Sequence, residues 1–260
     1  MNGVVAVDEL TRAYRAVTLG EFRTGSRRVD RFTDVDGVWS PADDEQVVAV
    51  VGCLGGAGAS TVALGLASAA EDARVVECCT VAASGLAGAS TAELGVTADG
   101  WVQGSRGPVL VERRGERIES PAHCPTPSVT AKALTVLDCG WEVDLLVGDS
   151  GWLGATIRNV PAAVVVTRPT VPGMRRLEAA VGRLGLDRVC GVVVSVEKRW
   201  PRPVEQALGP SGRALRAEGR LIGLPHDPIL ALEGVTPEPL PAPILAGCSA
   251  VLTLLEGNVR

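Results

Sequence analysis

The sequence predicts an α/β protein built on a mostly parallel sheet with helices on both faces, and three observations carry that expectation. Short β-branched runs bounded by Gly or Pro recur along the chain and alternate with segments of helical periodicity. Aromatic residues are only 3% of the 260 residues while 46% are hydrophobic, so the core is built from Val, Leu and Ala, as in sheets covered on both sides. Strands separated by helices need crossover connections, which makes their pairing parallel.

Residues 1–45 read as an N-terminal arm and 46–260 as the α/β domain. The arm carries Arg12, Arg15, Arg23, Arg27, Arg28 and Arg31 against Glu21 and Asp30, one short helix over about residues 8–17, and an acidic, turn-rich stretch from Asp34 to Glu45. VVAVVGC (47–53) is a buried first strand, followed by a Gly-rich turn and a helix over STVALGLASAAED. Further strands are expected in 73–79, 107–113, 133–140, 161–169 and 188–196, with a short one in GRLIGLP. Between the two near residues 161 and 196, a helix places Met174, Leu177, Ala180, Val181 and Leu184 on one face. A later helix is broken at Gly209-Pro210, and an amphipathic helix ends the chain. Residues 98–128 are charged and poorly periodic, which predicts an inserted loop or small hairpin on the rim.

Composition excludes several function classes. The formal net charge of −5 gives no strong nucleic-acid signal, although the arm and Lys198, Arg199 and Arg202 offer local basic patches. No run is long and apolar enough for a transmembrane segment, and acidic residues stand where a signal peptide has its apolar run, so a cytoplasmic protein is expected. The seven cysteines form no C-x-x-C pair and no zinc spacing with His123 or His226, and they read as buried thiols. GDSGW at 148–152 is not a nucleophile elbow. The five tryptophans read as packing anchors at loops and element ends.

The informative stretch is VVAVVGCLGGAGAST (47–61). A Gly-rich turn between a buried strand and a helix opening with Ser60-Thr61 has the makings of a phosphate-binding loop, with backbone N–H groups at the positive end of the helix dipole. Glycines also serve tight packing alone, and the residues leave both readings open. The arrangement resembles the deviant Walker A loop of the MinD/ParA ATPases, K-G-G-x-G-K-[ST]-T. Gly55, Gly56 and Gly58 fall on its glycines, with Ala57 between them, and Ser60 and Thr61 on its hydroxyl pair. The two lysine positions hold Leu54 and Ala59, and the small residue before the first is Cys53.

The resemblance implies a P-loop fold over about residues 47–255, ATP or ADP with Mg²⁺ as the cofactor, and action as a homodimer or with a protein partner. It places Glu77 where the family has an aspartate that positions water. It puts Ser60 and a strand-end aspartate on the Mg²⁺ side; Asp138 is preferred, with Asp149 open. By the same resemblance Leu224, Pro225 and Asp227 border the adenine base, and Ser195 stands where an Asn is often found. One absent cation in such a site costs roughly 3–4 kcal/mol of transition-state stabilisation, so loss of both lysines implies a hydrolysis-deficient protein with a positioning or scaffold role. The CpaE/TadZ-like proteins of pilus assembly are relatives of that sort. The alternative is a slow but active ATPase with a substitute arginine, Arg168 being the candidate.

Overall fold

The first strand sets the plan of the domain. The computed structural model describes residues 39–197 and 199–258. The expected helix at 8–17 and the basic arm lie outside them, as does Lys198. β1 (Gln46–Gly52) is flanked by β6 (Leu134–Cys139) on one side and β7 (Ala163–Thr167) on the other, parallel to both. Its odd-numbered residues Val47, Ala49 and Val51 enter one apolar layer, and Val48 and Val50 enter the other. A continuous β-branched run is what a strand covered on both faces requires.

Among the described residues the sheet has nine strands in the order β3 (Ala92–Val96), β4 (Trp101–Arg106), β5 (Val109–Arg114), β2 (Ala73–Glu77), β6, β1, β7, β8 (Val189–Val196) and β9 (Leu221–Pro225). β2, β8 and β9 continue the parallel pairing. One face is covered by α1 (Ala59–Ala70) and α8 (Ala242–Asn258), which approach so closely that a Cβ on Gly65 would lie 2.5 Å from the Cys248 sulfur. The other face is covered by α2 (Val143–Gly148), α3 (Trp152–Asn159), α4 (Val171–Leu184), α5 (Arg202–Ala207) and α6 (Pro210–Ala217). The expected stripe of α4 is buried at every position from Met174 to Leu184, and the chain breaks between α5 and α6 at Gly209-Pro210. α7 (Pro228–Glu233) follows β9.

Residues 98–128 form the expected hairpin, including the strand expected in 107–113, but the hairpin is built into the main sheet. They supply β4 and β5, which with β3 extend the main sheet. β5 pairs parallel to β2, and β4 turns back antiparallel to it through the Gly107 turn, where φ is +54°. Fully buried Trp101 anchors this extension, its Nε1 donating to the Thr126 carbonyl and the Arg114 guanidinium lying 5.1 Å from its ring centre. Helices 143–148 and 152–159 were also not expected.

The amino ends of the central strands bury an ionic network. Arg74, fully buried on β2, donates to Glu45 at 2.9 Å, to Glu112 at 3.0 Å, to Thr135 Oγ1 at 2.7 Å and to the Ser128 carbonyl at 2.6 Å. Gln103 and Ser128 complete the shell of Glu112.

Candidate functional site

At the carboxyl end of β1 the chain must turn sharply to enter α1. Cys53 N–H is held by the Val166 carbonyl at 2.8 Å, and the Ala57 N–H closes a turn onto the Leu54 carbonyl at 3.1 Å. Gly56 and Gly58 adopt φ of +69° and +94°, a region that side chains disfavour. A Cβ on Gly58 would also press to 3.2 Å on Val194 of β8. Among the described residues these turns leave the amides of Gly55, Gly56 and Gly58, and of Ala59, Ser60 and Thr61 at the start of α1, without backbone acceptors of their own. Together they form a nest at the positive end of a helix.

The loop opens onto a cavity of about 550 Å³. The expected loop residues Gly55, Gly56, Ala57, Gly58, Ala59, Ser60 and Thr61 all line it, as do Asp138, Leu224, Pro225 and Asp227. It lies where β1 feeds β2 on one side while β7 continues on the other, the switch point at which open α/β sheets place ligands.

Asp138 ends β6 beside β1 and is only 2% exposed. Burial pushes its carboxyl up to about 7 against the pull of a hydrogen bond from Ser60, with Glu77 adding to the rise. Asp149, the other candidate, caps α3 by accepting from Gly151 and Gly154 N–H at 3.1 and 3.2 Å, and it does not line the cavity. Ser60 and Asp138 are hard oxygen donors side by side, a set that fits Mg²⁺.

Glu77 ends β2, 1% exposed, and its carboxylate accepts from Ser84 Oγ and the Gly85 and Leu86 N–H groups, each at 3.0 Å. Burial raises its pKa and these three donors oppose the rise. The carboxylate is thus engaged in drawing the 84–86 segment over the loop, and a Cβ on Gly85 would lie 2.3 Å from Ser60 Oγ. Nothing local in the sequence marks this clamp.

The far wall holds the residues expected near a base. Asp227 caps α7 by accepting from Leu230 N–H at 2.8 Å, so its carboxylate is partly spoken for. Ser195 lines the cavity at φ +64°, beside an irregularity in the β8–β9 pairing.

Leu54 and Ala59 supply no charge, and burial raises the Cys53 thiol to about 12, so it too is neutral. The other cysteines, 78, 79, 124, 139, 190 and 248, are buried. Among the described residues lining the cavity the cations are Arg168, at the exit of β7, and Arg176, on α4, which sequence reasoning missed. Trp141 lines the cavity too, while Trp39 and Trp152 pack edge to face at 5.3 Å.

No protein-family model and no curated protein matches the sequence. Solved structures do. A plasmid partition protein of Borrelia burgdorferi bound to AMPPNP superposes with a TM-score of 0.53 at 12% identity, covering 82% of this chain and 99% of that one. The cell division ATPase MinD of Pyrococcus furiosus gives 0.51 at 16% identity, covering 81% and 99%. The chain has the fold of the MinD/ParA ATPases. Apo McdA from Cyanothece gives 0.50 at 9% identity, covering 80% and 99%. These identities speak for architecture alone. Among the described residues no helix is long and apolar enough to cross a membrane.

Proposed function

We propose that this chain is a degenerate MinD/ParA-type nucleotide-binding protein, impaired in hydrolysis, that acts as a positioning or scaffold component like the CpaE/TadZ-like proteins. One observation carries the reading: the loop keeps its glycine nest above Ser60 and Asp138, while both lysine positions hold apolar residues. A backbone nest binds phosphate oxygens without side-chain charge, so binding survives better than catalysis, which depends on cations aimed at charge developing in the transition state. Ser60 and Asp138 would hold Mg²⁺, which when bound supplies charge neutralisation to phosphate oxygens. Glu77, tied to residues 84–86, holds the segment over the loop rather than a water. The AMPPNP-bound neighbour supports adenine nucleotide as the ligand class. The resemblance of the loop to the MinD/ParA family supports a homodimer or a complex with a protein partner as the working form, in the cytoplasm.

The test is calorimetric titration of the full chain with ATP and ADP plus Mg²⁺, with light-scattering mass and phosphate release measured in parallel. Micromolar binding with background phosphate release is expected. Sustained release would overturn the loss of hydrolysis, and no binding at millimolar nucleotide would overturn the nucleotide reading. A second reading, a slow ATPase using Arg168, draws on one contact: Arg168 Nη1 lies 3.4 Å from the Gly56 carbonyl, within reach of the loop. It requires turnover that Arg168→Ala abolishes.

A further inference from the structure

A polyphosphate entering this cavity meets a loop without cations and a wall with carboxylates. Asp138, Glu142 and Asp227 all line the space, so a nest of amides must act against a negative surround. Arg168 and Arg176 are the cations among the described lining residues, and neither forms an ion pair with a described residue. Arg74, Arg113, Arg183 and Arg220 are committed to carboxylates and Arg106 and Arg188 to backbone carbonyls, while Arg117, Arg175, Arg199 and Arg202 are exposed away from the cavity.

An unpaired arginine is ordinarily a solvated surface group, and what sets these two apart is the frame that carries them. Thr170 caps α4 by accepting from Gly173 N–H at 3.1 Å, and buried Thr167 donates to the Gly173 carbonyl at 2.9 Å. The Thr170 N–H returns to the Arg168 carbonyl at 2.7 Å. Any Cβ at Gly173 would fall 2.3 Å from that carbonyl, so only glycine lets α4 seat against the turn. Thr167 also bonds the Cys53 thiol at the entry of the loop. The turn that positions both arginines is therefore bonded to the strand end from which the loop springs. The single contact of Arg168, to the Gly56 carbonyl at 3.4 Å, is longer than an ordinary N–H···O bond and easily exchanged for a better acceptor.

We infer that Arg168 and Arg176, entering from the β7–α4 side, bind the phosphate chain of the nucleotide and provide the positive charge that Leu54 and Ala59 do not. The inference rests on the nucleotide reading above and deepens it. A guanidinium offers paired donors to phosphate oxygens and keeps its charge at any working pH, so two of them supply charge for binding from a different element, not from the loop positions where the family's lysines act in catalysis. The ligand class is a nucleoside polyphosphate, with the arginines acting on its phosphates and not on its base.

The experiment compares the full chain with Arg168→Ala, Arg176→Ala, the double alanine variant and the double lysine variant. The probes are ATP and inorganic tripolyphosphate, titrated by calorimetry, with thermal melts as a check on folding. Each alanine is expected to weaken both probes about tenfold or more, as loss of a hydrogen bond between charged groups does. The double variant should lose more, and the double lysine variant should recover part of the affinity. Alanine variants that melt like the parent and bind both probes with parental affinity would overturn this inference and leave the nucleotide reading standing. A parent chain that binds neither probe would overturn both. Weakened ATP binding with unchanged tripolyphosphate binding would also overturn it, by placing the arginines on the base or ribose.

Discussion

The two ends of the central strands handle charge in opposite ways. At the amino ends Arg74 is buried with Glu45 and Glu112, and every guanidinium nitrogen has a partner. At the carboxyl ends the loop facing the cavity carries no charge, while two arginines beside it have no carboxylate partner among the described residues. A buried charge survives only where fixed groups match it, so the first cluster is complete in the folded chain and asks for no ligand. Arg168 is half-buried and Arg176 exposed, so water serves the second cluster in the free chain, and on the inference above a bound anion takes the place of that water. The contrast separates charges that hold the fold together from charges that a ligand can use.

The largest expected effect comes from breaking the matched end. Arg74→Ala leaves two buried carboxylates facing each other without their cation, and removal of one member of such a network costs about 3–5 kcal/mol. Urea unfolding should show that loss, while tripolyphosphate affinity of the protein still folded stays unchanged. A loss below about 1 kcal/mol, the range of exposed ion pairs, would erase the contrast between the two ends.

The cavity end should respond to pH instead. The Asp138 carboxyl rises from 3.8 to about 7 in the fold because burial disfavours its charge. Between those values the native state holds a proton that the unfolded chain releases, so stability falls as pH rises across that window and the penalty is complete above it. Asp138→Asn removes the titration. In chelator-treated protein the variant should match the parent near pH 4 and exceed it at pH 8 by up to about 4 kcal/mol, at 1.36 kcal/mol per unit. Denaturation curves at three pH values decide the matter, and parallel pH profiles for the two proteins would mean that no such shift exists.

How far the sequence announced this arrangement depends on the distance over which each feature is made. β1, the glycine loop and α1 are one contiguous stretch, and their hydrophobic period and glycines are visible without any partner. The β-branched run before Asp138 favoured it over Asp149 in sequence but left the second open; that one ends a strand paired with β1 and the other caps a helix is settled by pairing. β3 was invisible because all five of its residues are exposed, and its place comes from hydrogen bonds to β4. Arg74 sits inside a run read correctly as a strand, yet its partners lie 29 to 61 residues away. The Glu77 clamp on residues 84–86 and the approach of Arg176 to the loop are likewise products of packing, not of local pattern.

Backbone strain gives the smallest expected effect and separates the two ends once more. Ser195 is held at φ +64° where β8 bulges at the cavity wall, a conformation that costs an L-residue roughly 1–2 kcal/mol and that Asn tolerates best among side chains. Ser195→Asn should therefore stabilise the chain by a few tenths to about 1 kcal/mol, and Ser195→Val should destabilise it by more, since a branched Cβ fits that region poorly. Paired melts measure both. If Asn raises ATP affinity while tripolyphosphate affinity stays fixed, the strained position belongs to base recognition. If stability alone changes, the strain serves only the turn of β8 beside Gly58. A valine variant as stable as the parent would mean that the bulge relaxes and stores no strain at the cavity wall.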